Sequence, residues 1–407
     1  MDRLTPNTAA RARDIRKNSP IRWRQASYHY KFMRLRHGIL REPSEAEVLR
    51  LLEDTPQAWR KPPVQRPDDA ARTAPPLDAF DQAKFEGAKL AGQSHIQYML
   101  KPKEMDLGTV SELLSDEAFT AFDISRLMFF DFAKYGALSS VIVKWRRQSK
   151  LKPFPNRALL QLFHCLAKAC AEMESPSNGT LPIVHFDLEP SNMLFGDRDN
   201  TEHPIMPLLR VADFGLSEEM PADLQDLRQA DFIWNLRWRA KSFWYLPEQS
   251  SEDWDYIDQH PLPEDIKTYG EVAGRFGPAS NIYHVGLTVW SCITGLLPMP
   301  TSRPVPFKDN DGTPCYSYGC DVLDDTKYGS VDKEIRQAVA RCLIEEPRRR
   351  PKAQGLLELC EREIAAAAQR DGDKDPDFQQ WCGRNFREPP IPEGLPLFDP
   401  GNPSDRQ

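Results

Sequence analysis

Hydrophobic side chains recur at helical spacing in four well-separated stretches of the chain. We predict helices over residues 138–145, 159–173, 282–294 and 353–369. A compact apolar run at residues 126–133, with the sequence RLMFFDFA, is typical of a buried strand. Weaker helical spacing covers residues 42–54 and 80–92, and residues 95–100 have the composition of a strand.

The most apolar stretch of the chain, residues 285–300, raises the question of a membrane span. It is interrupted by Thr288, Ser291, Thr294 and Pro298. A span needs about 20 mostly apolar residues. We therefore predict a helix buried in the protein core, and we expect no membrane partner.

The spacing of prolines divides the chain into folded and extended parts. Residues 55–79 contain six prolines and little apolar material, which indicates a linker. The linker follows a predicted basic arm, residues 1–54, which ends in a short helix. Residues 371–407 are rich in proline and poor in core residues, so we predict a disordered tail.

The chain has 407 residues, of which 40% are hydrophobic and 28% charged, as expected of a globular protein with some additional polar chain. The N-terminus has no apolar stretch after its first positive charges, so it does not resemble a secretory signal. The eight cysteines form no C-x-x-C pair. We therefore expect reduced thiols in an intracellular protein, cytoplasmic or nuclear, and no structural zinc site.

Positive charge is concentrated at the N-terminus. The net charge is −7, yet residues 1–41 contain eleven Lys or Arg against two Asp. We interpret this arm chiefly as a solvated segment. Contact with an acidic partner, with nucleic acid or with a nuclear-import receptor is an alternative, and so is a mitochondrial presequence. Because the whole chain is acidic, we do not expect a dedicated nucleic-acid binder.

Two motifs in the middle of the chain carry the chemistry. The first is IVHFDLEPSNMLF at residues 183–195, in which His185, Asp187 and Asn192 stand between apolar flanks. The second is LRVADFGL at residues 209–216, a short apolar strand that ends at Asp213. Phosphoryl transfer needs an Asp to orient the acceptor hydroxyl and take its proton, and an Asp and an Asn to hold magnesium.

These motifs resemble the catalytic loop and the D-F-G loop of the eukaryotic protein kinase superfamily. The resemblance implies a two-lobed α+β fold with a small sheet lobe, here residues 80–133, and a large helical lobe, residues 134–370. It implies that Asp187 is the catalytic Asp and that His185 supports its loop. It also implies that Asn192 and Asp213 bind Mg²⁺ and that ATP is the ligand.

Sequence on both sides of the motifs extends the resemblance. The family's A-P-E motif corresponds to YLPE, which ends at Glu248, and its late arginine corresponds to Arg350, so we predict a buried ion pair between them. Asn281 stands where the family usually has Asp. Residues 127–133 resemble the hinge strand. The resemblance makes Glu86 the helix-C Glu and assigns adenine contacts to Phe130, Asp131, Phe132 and Ala133, with Phe130 as gatekeeper.

Other positions depart from the family pattern. Residues 1–86 contain one glycine, Gly38, so the glycine-rich loop over the phosphates is missing. Lys61 is followed by two prolines and fits a paired strand poorly as the phosphate-gripping lysine. Phe186 replaces the family's Arg, which argues against control by phosphorylation of the activation segment. Glu189 replaces a Lys, and a carboxylate there would repel phosphate unless it points away.

The sequence therefore leaves several hypotheses open. The first is an active, divergent kinase that transfers the ATP γ-phosphate to Ser or Thr of a protein substrate. The second is a pseudokinase that acts as a scaffold or binding module through its basic arm and tail. A kinase chain shortened at its smaller lobe, or a small-molecule phosphotransferase of the same fold, would also fit. A lysine close to Glu86 and Asp213 would favour the enzyme.

Overall fold

The computed structural model describes residues 89–90 and 93–97 and most of residues 130–387. Within residues 130–387 it leaves out 150–151, 178, 180, 222–229, 238, 240–243, 252–253, 255–270, 297–303, 310 and 372–374. The predicted basic arm, the proline-rich linker, Glu86 and most of residues 80–133 lie outside the described residues. The domain boundaries drawn from the sequence remain predictions.

Nine α-helices have both of their ends in the described residues. In chain order they are α1 Leu138–Ser149, α2 Asn156–Glu174, α3 Ala230–Leu236, α4 Pro247–Ser250, α5 Pro278–Thr294, α6 Asp325–Tyr328, α7 Lys333–Cys342, α8 Ala353–Asp371 and α9 Pro376–Asn385. The four helices predicted from hydrophobic spacing correspond to α1, α2, α5 and α8. Each of these predictions is confirmed, with ends that differ by a few residues. None of the described helices combines the length and apolar character that crossing a membrane requires.

Seven short strands accompany the helices. They are β1 Gly136–Ala137, β2 Ile183–Val184, β3 Met193–Phe195, β4 Leu209–Val211, β5 Glu218–Glu219, β6 Val305–Lys308 and β7 Pro314–Ser317. The strands β1, β3 and β4 form an antiparallel sheet in that order, β2 pairs with β5, and β6 pairs with β7. Together with the helical majority, this arrangement confirms the α+β class.

The core is built around α5. This helix is buried along nearly its whole length and packs against α2 on one side and α7 on another. Pro278 opens it at a position that needs no backbone N–H donor, and Gly295 ends it with a φ of 68°. A Cβ at Gly286 would lie 2.5 Å from Cys342 Cβ, so only glycine permits the close approach of α5 to α7.

The prediction of a disordered tail over residues 371–407 is wrong for the first part of that range. Helix α9 lies inside it, starts with an Asp375 side chain that accepts from Phe378 N at 2.9 Å, and buries Phe378 and Trp381 almost completely. The Trp381 ring lies 5.0 Å from that of Phe154 and 5.4 Å from that of Phe386. The tail has few apolar residues, but α9 places them on one face, so they bury together in spite of their low density.

The predicted buried strand at residues 126–133 is also wrong where the structure describes it. Phe130 forms a single bridge and is 39% exposed, and Phe132 is 77% exposed. Residues 131–133 have no regular secondary structure, and the sheet begins only at β1. An apolar run predicts burial only if a partner surface covers both of its faces. The described residues do not provide that cover.

Candidate active site

Strand pairing brings the two motifs together. In the antiparallel register of β3 and β4, Met193 lies opposite Val211. Asn192 immediately precedes Met193, and Asp213 follows Val211 by two residues. The pairing continues past the strand ends, because Ala212 N donates to Asn192 O at 2.9 Å. The sheet thus places the end of the catalytic loop beside the start of the D-F-G turn.

The His185 side chain forms hydrogen bonds with both segments. Its Nδ1 accepts from Asp187 N at 3.2 Å, and its Nε2 lies 3.1 Å from Ala212 O. Since Nδ1 accepts, the proton of the neutral ring is on Nε2 and is donated to the carbonyl. The imidazole also packs on the Phe214 ring, with centroids 4.7 Å apart. The supporting position that the resemblance implied for His185 agrees with these contacts.

Asn192 orients the carboxylate of Asp187. Its Nδ2 donates to Asp187 Oδ2 at 2.8 Å and to Asp187 O at 2.9 Å, and both side chains are buried. With both amide hydrogens directed at Asp187, the amide oxygen of Asn192 is the atom that can bind a cation. The loop therefore holds one carboxylate in a defined direction and presents one neutral oxygen donor.

Asp213 differs from Asp187 and Asn192 in its exposure to solvent and in its backbone conformation. It is exposed and adopts a left-handed conformation, with a φ of 63°. Its Oδ1 accepts from Gly215 N at 3.4 Å. A non-glycine residue in this region is strained, and such strain is concentrated at functional sites. The turn directs a carboxylate out of the sheet next to Asn192, and a carboxylate with an amide oxygen is a donor set suited to Mg²⁺.

Asn281 on α5 fastens the catalytic loop to the helical core. Its Oδ1 accepts from His185 N at 3.0 Å, and its Nδ2 donates to Ile183 O at 2.8 Å. The side chain is 1% exposed. An ionised Asp could accept the first of these bonds but could not donate the second. Asn281, which stands where the family usually has Asp, is therefore suited to the two backbone groups that it contacts.

Phe186 occupies an apolar site where the family has an arginine. It is completely buried, has a φ of 59°, and its ring centre lies 5.4 Å from that of Phe276. Arg239 supplies a positive charge nearby, on the segment after the D-F-G turn. It pairs with Glu218 at 2.7 Å and donates to Ser217 O at 3.1 Å. Burial raises the pKa of Glu218, and the Arg239 guanidinium opposes that rise.

Glu189 is turned toward its own loop. Its Oε1 accepts from the hydroxyl of Ser191, two residues further along the chain. The sequence left open whether this carboxylate would face a phosphate, and in the structure it is hydrogen-bonded to Ser191. Lys89 is a lysine that reaches the segment after the D-F-G turn, where it pairs with Glu219 at 2.6 Å.

The predicted ion pair between Glu248 and Arg350 is confirmed. The two side chains are bidentate, with N–O distances of 2.8 and 2.9 Å, and both are 0% exposed. The remaining guanidinium hydrogens are donated to three backbone carbonyl groups, those of Ile344, Ala279 and Glu345. All five donors of Arg350 are therefore used.

The residues assigned to adenine are placed beside the sheet, but their role remains a prediction. Asp131 O accepts from Gln97 Nε2 at 3.2 Å, and Asp131 Oδ2 pairs with Arg210 Nη1 at 2.8 Å. Residues 131–133 line a small cavity together with Leu194 and Gly196 of the β3 region.

Sequence reasoning missed one further support of the catalytic loop. Trp244 Nε1 donates to Leu188 O at 2.9 Å, and His284 Nε2 lies 3.1 Å from Trp244 O. Both side chains are buried. A buried tryptophan needs a partner for its N–H, and YLPE directly follows Trp244 in the chain. The position of Trp244 next to YLPE was the available sequence signal. The sequence does not show that the Leu188 carbonyl is its partner, because that contact depends on tertiary structure.

Comparison with known proteins adds little to this geometry. No protein-family model and no curated protein matches the chain. Among solved structures, a chain of the CAK complex from Chaetomium thermophilum bound to ATP-γ-S is similar, with 16% identity and a TM-score of 0.44. The alignment covers 71% of this chain and 78% of that chain. A similarity of this size carries no argument about function.

Proposed function

We propose that the chain is a divergent protein kinase that binds Mg·ATP and transfers its γ-phosphate to Ser or Thr hydroxyls. One observation carries the proposal. The bond from Ala212 N to Asn192 O joins the loop that holds Asp187 to the turn that presents Asp213. This bond gathers one oriented carboxylate, one amide oxygen and one exposed carboxylate from two segments. Phosphoryl transfer depends on positioning and charge stabilisation of this kind.

Each residue would have a separate task. Asn192 and Asp213 would hold magnesium, because hard cations prefer carboxylate and amide oxygens. Asp187 would orient the acceptor hydroxyl and take its proton, with Oδ2 fixed by Asn192. Bound Mg·ATP supplies the phosphoryl group and neutralises its developing charge. His185 and Asn281 would keep the loop rigid during transfer.

A second candidate function is a pseudokinase that binds nucleotide or a partner without turnover. The observation that favours it is in the sequence, where the motifs for the glycine-rich loop and its lysine are missing. In this case the basic arm would bind an acidic partner, and the site would act as a scaffold.

Two variants separate these functions. Thermal unfolding of the full chain is measured with and without Mg·ATP, and a ligand at 100 times its Kd adds about 2.7 kcal/mol of stability. We expect Asp213→Asn to abolish this stabilisation, while Asp187→Asn keeps it and loses phosphate transfer from radiolabelled ATP to a Ser/Thr peptide library. Asp324→Asn, a half-buried Asp that accepts hydrogen bonds from Thr326 in its own turn, is the matched control.

The outcomes are distinct. Magnesium-dependent stabilisation with transfer that Asp187→Asn abolishes supports the kinase. Stabilisation without transfer in the wild type supports the pseudokinase. Absence of any stabilisation at millimolar Mg·ATP contradicts the nucleotide site, and equal stabilisation of Asp213→Asn and the wild type contradicts its assignment to Asp213.

A further inference from the structure

Three histidines that take no part in the proposed phosphate chemistry meet in the interior. His95 lies next to the bridge that joins residue 96 to β4, His164 lies on α2, and His203 lies in the loop between β3 and β4. One ligand atom of each lies within 4.8 Å of those of the other two. Three separate parts of the chain thus place imidazoles around one point.

The hydrogen bonds of His95 leave one of its ring nitrogens, Nε2, without a proton and available to a ligand. Its Nδ1 lies 2.8 Å from Ser94 Oγ, and Ser94 Oγ donates to Glu172 Oε1 at 3.1 Å. Because the hydroxyl hydrogen is directed at Glu172, His95 Nδ1–H is the donor in the first bond. The proton is therefore on Nδ1, and Nε2 has a lone pair. His95 is 0% exposed, and its Nε2 has no hydrogen-bond partner in the described part of the chain.

His203 is arranged in the same manner. Its Nε2 lies 3.4 Å from Cys165 Sγ, and its Nδ1 is a buried atom with no hydrogen-bond partner among the described residues. When the His203 ring is neutral with its proton on Nε2, facing Cys165 Sγ, Nδ1 has the lone pair that a metal requires.

A packed histidine cluster without a ligand is the simpler alternative. The ring centres are 6.0 to 6.3 Å apart, as in ordinary aromatic contacts. Such packing would leave the buried Nε2 of His95 and Nδ1 of His203 unsatisfied, which is unfavourable for polar atoms away from water. A cation between the rings would satisfy both atoms, and it would use the arrangement in which histidine ligands donate their other N–H to a neighbouring group.

We propose that His95, His164 and His203 bind one zinc ion. Tetrahedral zinc with Zn–N bonds of about 2.0–2.1 Å requires ligand nitrogens about 3.3 Å apart. The ligand atoms lie within 4.8 Å of one another, so they would have to move closer together when zinc binds. Imidazole nitrogens are suitable ligands for zinc, and carboxylate oxygens bind it as well.

Glu202 supplies the fourth ligand. Its Oε2 lies 3.8 Å from His95 Nε2, and its other oxygen pairs with Lys168. The cysteine pattern had predicted no structural zinc, and this proposal differs because its ligands are histidines.

The position of the site indicates a structural role. His95 O accepts from Val211 N at 2.8 Å, and Val211 O accepts from Gln97 N at 2.8 Å. A metal bound to His95 would therefore fasten residues 93–97 to α2 and to the edge of β4, two residues before Asp213. Binding energy at such a site is folding energy.

The test is metal binding by the full chain after treatment with a chelator. Zinc is titrated in competition with a chromophoric chelator, and cobalt(II) is titrated separately to detect the visible absorption of a tetrahedral site. We expect one zinc per chain and a higher unfolding temperature with zinc. We expect His164→Gln and His203→Gln to weaken binding at least 100-fold and to remove the tetrahedral cobalt spectrum.

Two matched controls exclude unspecific effects. Lys168→Gln changes the same face of α2 and releases Glu202, so it should bind zinc at least as tightly as the wild type. His37→Gln removes a histidine to which the proposal gives no part in the site and should leave binding unchanged. The proposal is overturned if the wild type binds less than half an equivalent of zinc, or if His164→Gln binds as tightly as the wild type. Should His203→Gln fail to fold, His164→Gln decides, because its side chain is 11% exposed.

Discussion

Removing Arg350 tests whether one buried ion pair stabilises the helical core. Arg350→Met keeps most of the side-chain volume but removes all five hydrogen bonds of the guanidinium. Glu248 would then be a buried carboxylate with the hydroxyl of Ser280 as its side-chain partner, at 2.7 Å. Removing one member of a buried pair costs about 3–5 kcal/mol, since the other charge is left uncompensated.

A neighbouring arginine is the matched control. Arg348 pairs with Glu271 at 3.1 Å, but the two side chains are 61% and 63% exposed. Exposed pairs contribute about 0–1 kcal/mol, so Arg348→Met should change stability by no more than about 0.5 kcal/mol. The double variant Glu248→Gln/Arg350→Met should recover at least about 1 kcal/mol relative to Arg350→Met, because no buried charge remains.

Urea unfolding followed by tryptophan fluorescence measures these differences. Trp244, Trp254 and Trp290 are fully buried near the pair or on the helices that surround it, so their emission reports loss of this core. The free energy of unfolding is obtained from the midpoint and slope of each curve. A cost below about 1 kcal/mol for Arg350→Met, or a cost equal to that of Arg348→Met, would refute the argument from burial.

Two further predictions concern the core. Burial lowers the pKa of His284 to about 3, so between pH 6.5 and 3 the unfolded chain binds a proton that the folded chain does not, and stability falls as the pH falls. His284→Gln should flatten this dependence by up to about 1.4 kcal/mol per pH unit in urea unfolding, and equal slopes would contradict the prediction. Trp381→Ala should cost about 3–5 kcal/mol because Trp381 is 1% exposed and packs on Phe154, whereas an effect below about 1 kcal/mol would mean that α9 does not dock.

Much of the helical core and the central motifs could be predicted from sequence. Helices α1, α2, α5 and α8 follow from local periodicity, which survives folding because each helix buries one side or all sides. The pair between Glu248 and Arg350 followed from the resemblance and is present. The exposed Phe132 and the buried Trp381 were both mispredicted, since local apolar density says little about which surface a segment meets.

The amino-acid sequence by itself determined where the helices lie and which residue types stand in the two motifs. Both depend on neighbours a few positions apart. Tertiary structure alone decided which distant groups meet, such as the Trp244 N–H and the Leu188 carbonyl, or the imidazoles of His95, His164 and His203. These contacts join segments far apart in the chain, and their partners are selected by packing around α2 and α5, which no local pattern encodes.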